Sequence, residues 1–374
     1  VTIPDSVTTI GPDAFSFCKK LLKVEIGNGV TSIGDSAFAY SEKLEEVNLP
    51  KDYLNAQFES KNSYSFGPFN GCSSLSKVEI EDGTVGIPNY LLNGCHGLQE
   101  IAIPDSVTVI GKRAFSNTDL INVMLSDSVV SIGEGAFHNC LELTKVTLGK
   151  NVTEIGDYAF SDNVKLEEIN IPKALVTTSF MTGIFYGCIA LNTVVFEEGI
   201  TEIPAYLFRD CVGLQEVVIP DTVTLIGANA FYQCASLHAI TLPEGLTTIS
   251  ANAFAYCTSL ESLNIPDSVT TIGYAAFFDC EALTEVHLGK NLEVLDSRVF
   301  AACKNLSTIN IPKKCTEDLG EIPKEDPFNG CESLENITFE EGTEVIPAYL
   351  FRRSGLKTFV IPEGITTIGK HAFD

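Results

Sequence analysis

Five histidines, twelve cysteines and 49 acidic residues are the chain's stock of reactive side chains. His96, His138, His238, His287 and His371 are scattered, and no two have the H-E-x-x-H spacing of a helical zinc site. No C-x-x-C pair, G-x-S-x-G elbow or glycine-rich phosphate loop occurs. Carboxylates are so numerous that some pair will fall at glycosidase separation by chance, which means little without a deep pocket. Asn151, Asn305 and Asn336 stand in N-x-S/T sequons, meaningful only in a eukaryotic secretory pathway. No catalytic residue, metal ligand or cofactor is expected.

The cysteines are the first sign of order. Eleven of them (Cys18, Cys72, Cys95, Cys140, Cys188, Cys211, Cys234, Cys257, Cys280, Cys303 and Cys331) lie three residues after a recurring position. That position reads Phe15, Phe38, Phe69, Leu92, Phe115, Phe137, Phe160, Phe185, Phe208, Phe231, Phe254, Phe277, Phe300, Phe328, Phe351, Phe373. Ten of its fifteen intervals are 23 residues, two are 22, and three are 31, 25 and 28. A fixed period of this length means stacked repeats. One cysteine per coil gives a column of thiols about 4.8 Å apart, beyond the Cβ separation of a disulfide. Free, packed thiols are expected, with Cys315 outside the column and more exposed. Ser41 and Asn163 fill the same rung, and the 22-residue intervals after Phe115 and Phe351 read as having lost it.

Within one repeat, Leu260, Leu263 and Ile265 alternate with polar residues, the pattern of a strand with one buried face. Pro266 ends it, because proline cannot donate to a ladder. Asp267-Ser268 turn, Val269–Ile272 form a second short strand, and Gly273 stops it. Ala275-Ala276-Phe277 return as a short helical or 3₁₀ piece. Sixteen such coils, stacked in parallel, would span roughly 70–75 Å. The expected fold is a β-rich α/β repeat, one continuous solenoid over 1–374, with parallel strands on one face.

The motif I-P-x-S-V-T-x-I-G-x-x-A-F-x-x-C-x-x-L recurs, with good copies at Ile3 to Leu21, Ile103 to Leu120 and Ile265 to Leu283. It resembles the leucine-rich-repeat superfamily, specifically the bacterial surface-antigen or BspA-like class. The resemblance covers essentially the whole chain. It implies a curved solenoid on a bacterial or protist surface, secreted and engaged in adhesion to host proteins. No particular ligand carries over.

Three insertions interrupt the period, near 51–68, 173–184 and 313–327, and divide the solenoid into three modules. Each leaves after a proline–lysine pair and is followed one coil later by an acidic turn. Stacking the coils pairs Lys51 with Asp82, Lys173 with Glu198 and Lys313 with Glu341, exposed ion pairs that would pin the loop roots. A calcium site at these turns would need six to eight oxygen ligands, and no calcium-loop spacing is visible. Aromatic and apolar residues in the insertions are candidate ligand contacts: Tyr53, Phe58, Tyr64 and Phe66 in the first, Phe180 and Met181 in the second. The alternative is that the aromatics fold back onto the solenoid flank. On the strand face, one outward column reads Lys23, Glu46, Lys77, Glu100, Asn122, Lys145, Glu168, alternating signs that avoid like-charge stacking. Two residues on, Val195 and Val218 are either an exposed patch or covered by the 173–184 insertion, and the covering loop is the expectation.

The formal charge of −25 repels phosphate backbones and favours cationic partners, or solubility alone. No apolar run approaches a membrane span. The chain starts and stops inside repeats, as a piece of a longer product would. The expected function is non-enzymatic recognition of a protein ligand, such as a host matrix or surface protein, at a cell surface. The alternative is a structural spacer that displays another domain.

Overall fold

The computed structural model describes residues 1–59, 66–175, 183–317 and 326–374, without the side chains of residues 58, 59 and 317. It falls into two compact units, Val1–Glu197 and Glu198–Asp374, which together comprise about 15 turns. Each unit is a stack of β-coils. The longer strands pair in parallel, coil on coil: Lys23–Ile26 with Glu46–Leu49 and then Lys77–Ile80 in the first unit, Ser262–Asn264 with Glu285–His287 and then Thr308–Ile311 in the second. Two-residue second strands form their own ladders, as in Thr248–Ile249 with Thr271–Ile272. The period sets the register, so that Lys145 faces Glu168 and Thr248 faces Thr271.

The phenylalanines of the period form the core. Phe254 is fully buried and stacks on Phe231 and Phe277 at 5.1 and 5.2 Å, with planes 5° and 3° apart. Parallel coils impose this near-equal spacing on the rings. The cysteine rung completes the column. Buried thiols donate to the carbonyl of the phenylalanine one coil back, as in Cys72 to Phe38, Cys140 to Phe115, Cys257 to Phe231 and Cys303 to Phe277. Ser41 and Asn163 make the same bond to Phe15 and Phe137. The rung is not lost at the shorter intervals. Thr118 and Ser354 occupy it and bond Phe115 and Phe351, so the missing residue lies after the rung.

All twelve cysteines are free, ten of them buried. Burial pushes the thiols of Cys72 and Cys188 up to about 12 and that of Cys140 to about 11. Since the thiolate is the nucleophile, Ellman's reagent at pH 8 is expected to reach only the half-buried Cys18 and Cys315, and all twelve after unfolding. Fast labelling of the column in the folded protein would contradict this packing.

The return segment is neither α-helix nor 3₁₀. It closes through turns whose two flanking residues are left-handed, two before and two after the phenylalanine, such as Asn252 (φ 53°) and Tyr256 (φ 64°) around Phe254. This geometry recurs with Asp, Asn, Tyr, Arg and Ala at non-glycine positions. A helical residue there would point its N–H along the segment; the left-handed ones donate to the next coil, Asn252 to Tyr274 O and Tyr256 to Phe278 O. Coil-to-coil hydrogen bonds therefore outweigh the local preference against positive φ.

The coils around each insertion carry a distinct device. In the coil before, glycine replaces the usual proline, at Gly27, Gly149 and Gly289, where a Cβ would collide with Asp5, Ser126 and Pro266 of the previous coil. The next residue's N–H donates to an aspartate: Asn28 to Asp5, Lys150 to Asp127, Lys290 to Asp267. In the insertion coil itself, strand pairing to the preceding coil stops after two residues. An asparagine amide then takes over as a surrogate peptide group. Asn48 accepts from Ile26 N and donates to Ile26 O; Asn170 does the same with Leu148, and Asn310 with Leu288, all at 2.6–2.8 Å.

Candidate functional site

Two surfaces collect the candidate residues: the insertion roots and the outward face of the longer strands. The first insertion begins as helix α1 (Lys51–Glu59), which packs against the strands Ser32–Ile33 and Gly86–Ile87. Tyr53 and Leu54 are fully buried and Gln57 nearly so. Tyr53 is therefore a flank-packing residue and not a ligand contact, because a helix docked on the flank turns that side inward. The helix was legible in principle, as Tyr53, Leu54 and Gln57 share a 3.6-residue face. Asn55 ties α1 to the next coil through Gly83 O and Val85 N. Phe66 is 59% exposed. Tyr64, Phe180 and Met181 lie outside the described residues, as does the side chain of Phe58.

The first acid of each acidic turn, not the second, reaches the loop root. Glu81 accepts from Lys51 N and from Lys51 Nζ, each at 2.9 Å. Glu197 accepts from Lys173 N, and Glu340 from Lys313 N. Backbone register does place Leu49 beside Ile80, and hence Lys51 beside Asp82. The longer glutamate, beside Pro50 in register, reaches forward one position because Pro50 has no side-chain acceptor for the free N–H groups at the start of α1. Asp82 instead accepts from Gly83 N. Bonds from Lys51 hold the Glu81 carboxyl below its ordinary range. A depressed carboxyl stabilises above its unfolded pKa and stops doing so as pH falls through the folded one. Helix α1 should thus loosen below the ordinary carboxylate range, and Glu81→Gln should remove that pH dependence at a cost under about 1 kcal/mol. Hydrogen exchange of the α1 amides at two pH values reads both.

On the strand face of the first unit, the alternating column is an ion-pair zipper. Glu46 lies between Lys23 (3.3 Å) and Lys77 (2.7 Å), and Lys145 reaches Glu168 at 3.0 Å. In the column two residues on, Val195 is 50% and Val218 80% exposed. Neither valine is covered by the described residues, and residues 176–182 of the insertion expected to cover them lie outside those residues. Met124, 77% exposed, belongs to the same column; counting back from Val195 through Asn170 and Thr147 reaches it.

Among the described residues the titratable groups form no reactive constellation. His138 Nδ1 lies 2.7 Å from Ser161 Oγ and 3.5 Å from Asp162 Oδ2. Both partners crowd one nitrogen, and the serine is buried with its hydroxyl on Tyr158 O, so they cannot relay a proton from a nucleophile. Burial lowers the pKa of His138. Among the described residues no three His, Cys, Asp or Glu side chains are placed to hold a metal ion, and no helix is long and apolar enough to cross a membrane.

A sequence model of the BspA-type leucine-rich repeat region matches in successive stretches, 1–67, 62–192, 176–275, 201–324 and 247–374. The chain belongs to the BspA-type leucine-rich repeat family. Among solved structures, a leucine-rich repeat protein from Bacteroides ovatus is similar at 25% identity and a TM-score of 0.62, over 94% of this chain and 87% of that one. A leucine-rich cell surface protein from Faecalibacterium prausnitzii is similar at 26% identity (TM-score 0.41, 89% and 83% covered). The pneumococcal vaccine antigen PcpA is similar at 18% identity (TM-score 0.44, 97% and 79% covered). A comparison with curated proteins finds no match. In a BspA-type coil the outward strand residues are free of core duties, and a leucine-rich repeat fold of this kind suits protein interaction.

Proposed function

We propose that this BspA-type solenoid is a non-enzymatic protein-recognition module acting at a bacterial cell surface, in adhesion to host matrix or surface proteins. The observation that carries this reading is the outward strand residues of each unit: Met124 and Val195 in the first and Val218 in the second stand exposed among polar neighbours. Large apolar residues fixed on a rigid sheet suit binding, and ordering them costs little on association. The insertion rim adds Phe66, and Phe58, Tyr64, Phe180 and Met181 remain candidates there on sequence grounds. A spacer needs none of these exposed side chains.

The test is binding to arrayed matrix, mucin and serum proteins at physiological salt, with Val195→Asp/Val218→Asp and Phe66→Ser/Tyr64→Ser variants alongside. Saturable binding lost in the valine pair puts recognition on the strand face, and loss in the aromatic pair puts it on the rim. We expect at least tenfold weakening in the valine pair, the usual size for a central apolar contact. No saturable binding by the wild-type protein would favour the spacer.

A further inference from the structure

From Asp210 to Gly289 the chain contains no lysine and no arginine, yet nine acidic residues. Elsewhere no stretch without lysine or arginine exceeds 35 residues, and the first unit pairs the two signs in its Lys–Glu zipper. Four of the nine acids have basic neighbours from outside the stretch: Asp210 pairs with Arg209, Asp267 with Lys290 and Glu281 with Lys304, and Lys304 also acts on Asp279. The other five make no ion pair with lysine or arginine among the described residues. Glu216 and Glu285 stand exposed on the strand face, Glu261 just before the strand Ser262–Asn264, and Asp221 and Glu244 on the turn that follows the face. Among the described residues the only basic groups on that face are His238, 3.3 Å from Glu216, and His287, 3.0 Å from Glu285.

We infer that the strand face of the second unit, from Glu216 to His287, docks an extended lysine- and arginine-rich segment of a protein partner. The inference rests on the recognition role proposed above and specifies its partner. Three features of the face support it. Counting coils, Glu261 and Glu285 lie about 10 and about 14 Å from Glu216, within reach of alternate side chains of one extended peptide crossing the sheet. Val218, 80% exposed beside Glu216, offers apolar surface to the methylene stem of a lysine or arginine. A shallow depression of about 380 Å³, lined in part by Gln215, Ser236, His238, Ser259 and Glu261, adjoins the face and admits a side chain. A peptide lying there neutralises carboxylates that the protein itself leaves uncompensated, whereas on the first unit it would have to displace lysines already paired.

The probe is a labelled alternating lysine–threonine dodecapeptide, with its glutamate–threonine counterpart as control, read by fluorescence anisotropy at physiological salt. The lysine peptide should bind and the glutamate peptide should not. The Glu216→Gln/Glu261→Gln/Glu285→Gln variant should weaken binding about tenfold, the size of three exposed ion pairs. The equally neutralised Glu100→Gln/Glu154→Gln/Glu167→Gln variant of the first unit should change it less than about twofold. Matching unfolding midpoints establish that all variants are folded. Equal losses in both variants would reduce the effect to net charge and overturn the inference, as would absence of binding by the wild-type protein. An arrayed protein that binds the wild type and the first variant equally well would overturn it too, while leaving the wider recognition role standing.

Discussion

Phe254→Ala is expected to lower the stability of the second unit by about 4 kcal/mol, read as a shift in the urea midpoint at unchanged slope. The ring is fully buried and has a phenyl face against it on either side. Removing it leaves a gap in a column whose backbone spacing is fixed by coil-to-coil hydrogen bonds. Asn252 and Tyr256, flanking the site, are bonded to Tyr274 and Phe278 and cannot move in to fill it. Phe254→Leu is the instructive companion. Leu92 occupies the same column position and is itself fully buried, so leucine is compatible with the geometry and should cost under about 1.5 kcal/mol. If leucine proved as costly as alanine, ring stacking rather than volume would be what the column requires.

Asn310→Ala should cost about 2–3 kcal/mol, far more than Asn264→Ala, although both asparagines stand in the same outward column. The Asn310 amide is the partner of both Leu288 N and Leu288 O, at 2.6 and 2.8 Å, and Leu288 is buried. Alanine leaves a donor and an acceptor unsatisfied at once. Asn310→Asp separates the two roles. A carboxylate still accepts from Leu288 N but faces Leu288 O with a negative oxygen, which raises the folded-state pKa of the new carboxyl. A raised carboxyl destabilises above that pKa, and protonation supplies the missing donor. The aspartate variant should therefore regain stability relative to the wild type as pH falls from 7.5 towards 4.5, while the alanine variant should not. Equal behaviour of the two variants would show that the amide's donor bond contributes nothing.

The fold was readable because its core is periodic. Phe15 to Phe373 mark the coils, Leu260, Leu263 and Ile265 the buried strand face, and the cysteine rung its packing. Register, parallel pairing and free thiols all follow from those residues. What escaped had no periodic signature of its own. The left-handed turn residues include Tyr256, Arg113 and Ala275, side chains with no preference for positive φ, so only the bonds to the next coil explain them. The Asn48, Asn170 and Asn310 clamps look like ordinary polar residues of an outward column until the interrupted ladder behind them is seen. At the candidate site, the zipper and the exposed valines follow from column arithmetic. Tyr53 misled because an insertion was treated as a loop when its first nine residues are a helix. The acid partner of the loop-root lysine was placed one residue late because register fixes Cα positions and says nothing about side-chain length.

The clamps also bear on how such genes can change length. An ordinary coil offers its neighbour phenyl, thiol, strand and return-turn contacts, which the next ordinary coil would offer equally well. Recombination that adds or removes a whole 23-residue step among 204–288 thus joins compatible faces. A crossover that parts Gly289 from Asn310, or Asn310 from Glu340, joins coils lacking the matching clamp or acid. Surviving length variants should gain or lose ordinary coils one at a time, and the glycine–asparagine–glutamate triplets only as complete sets.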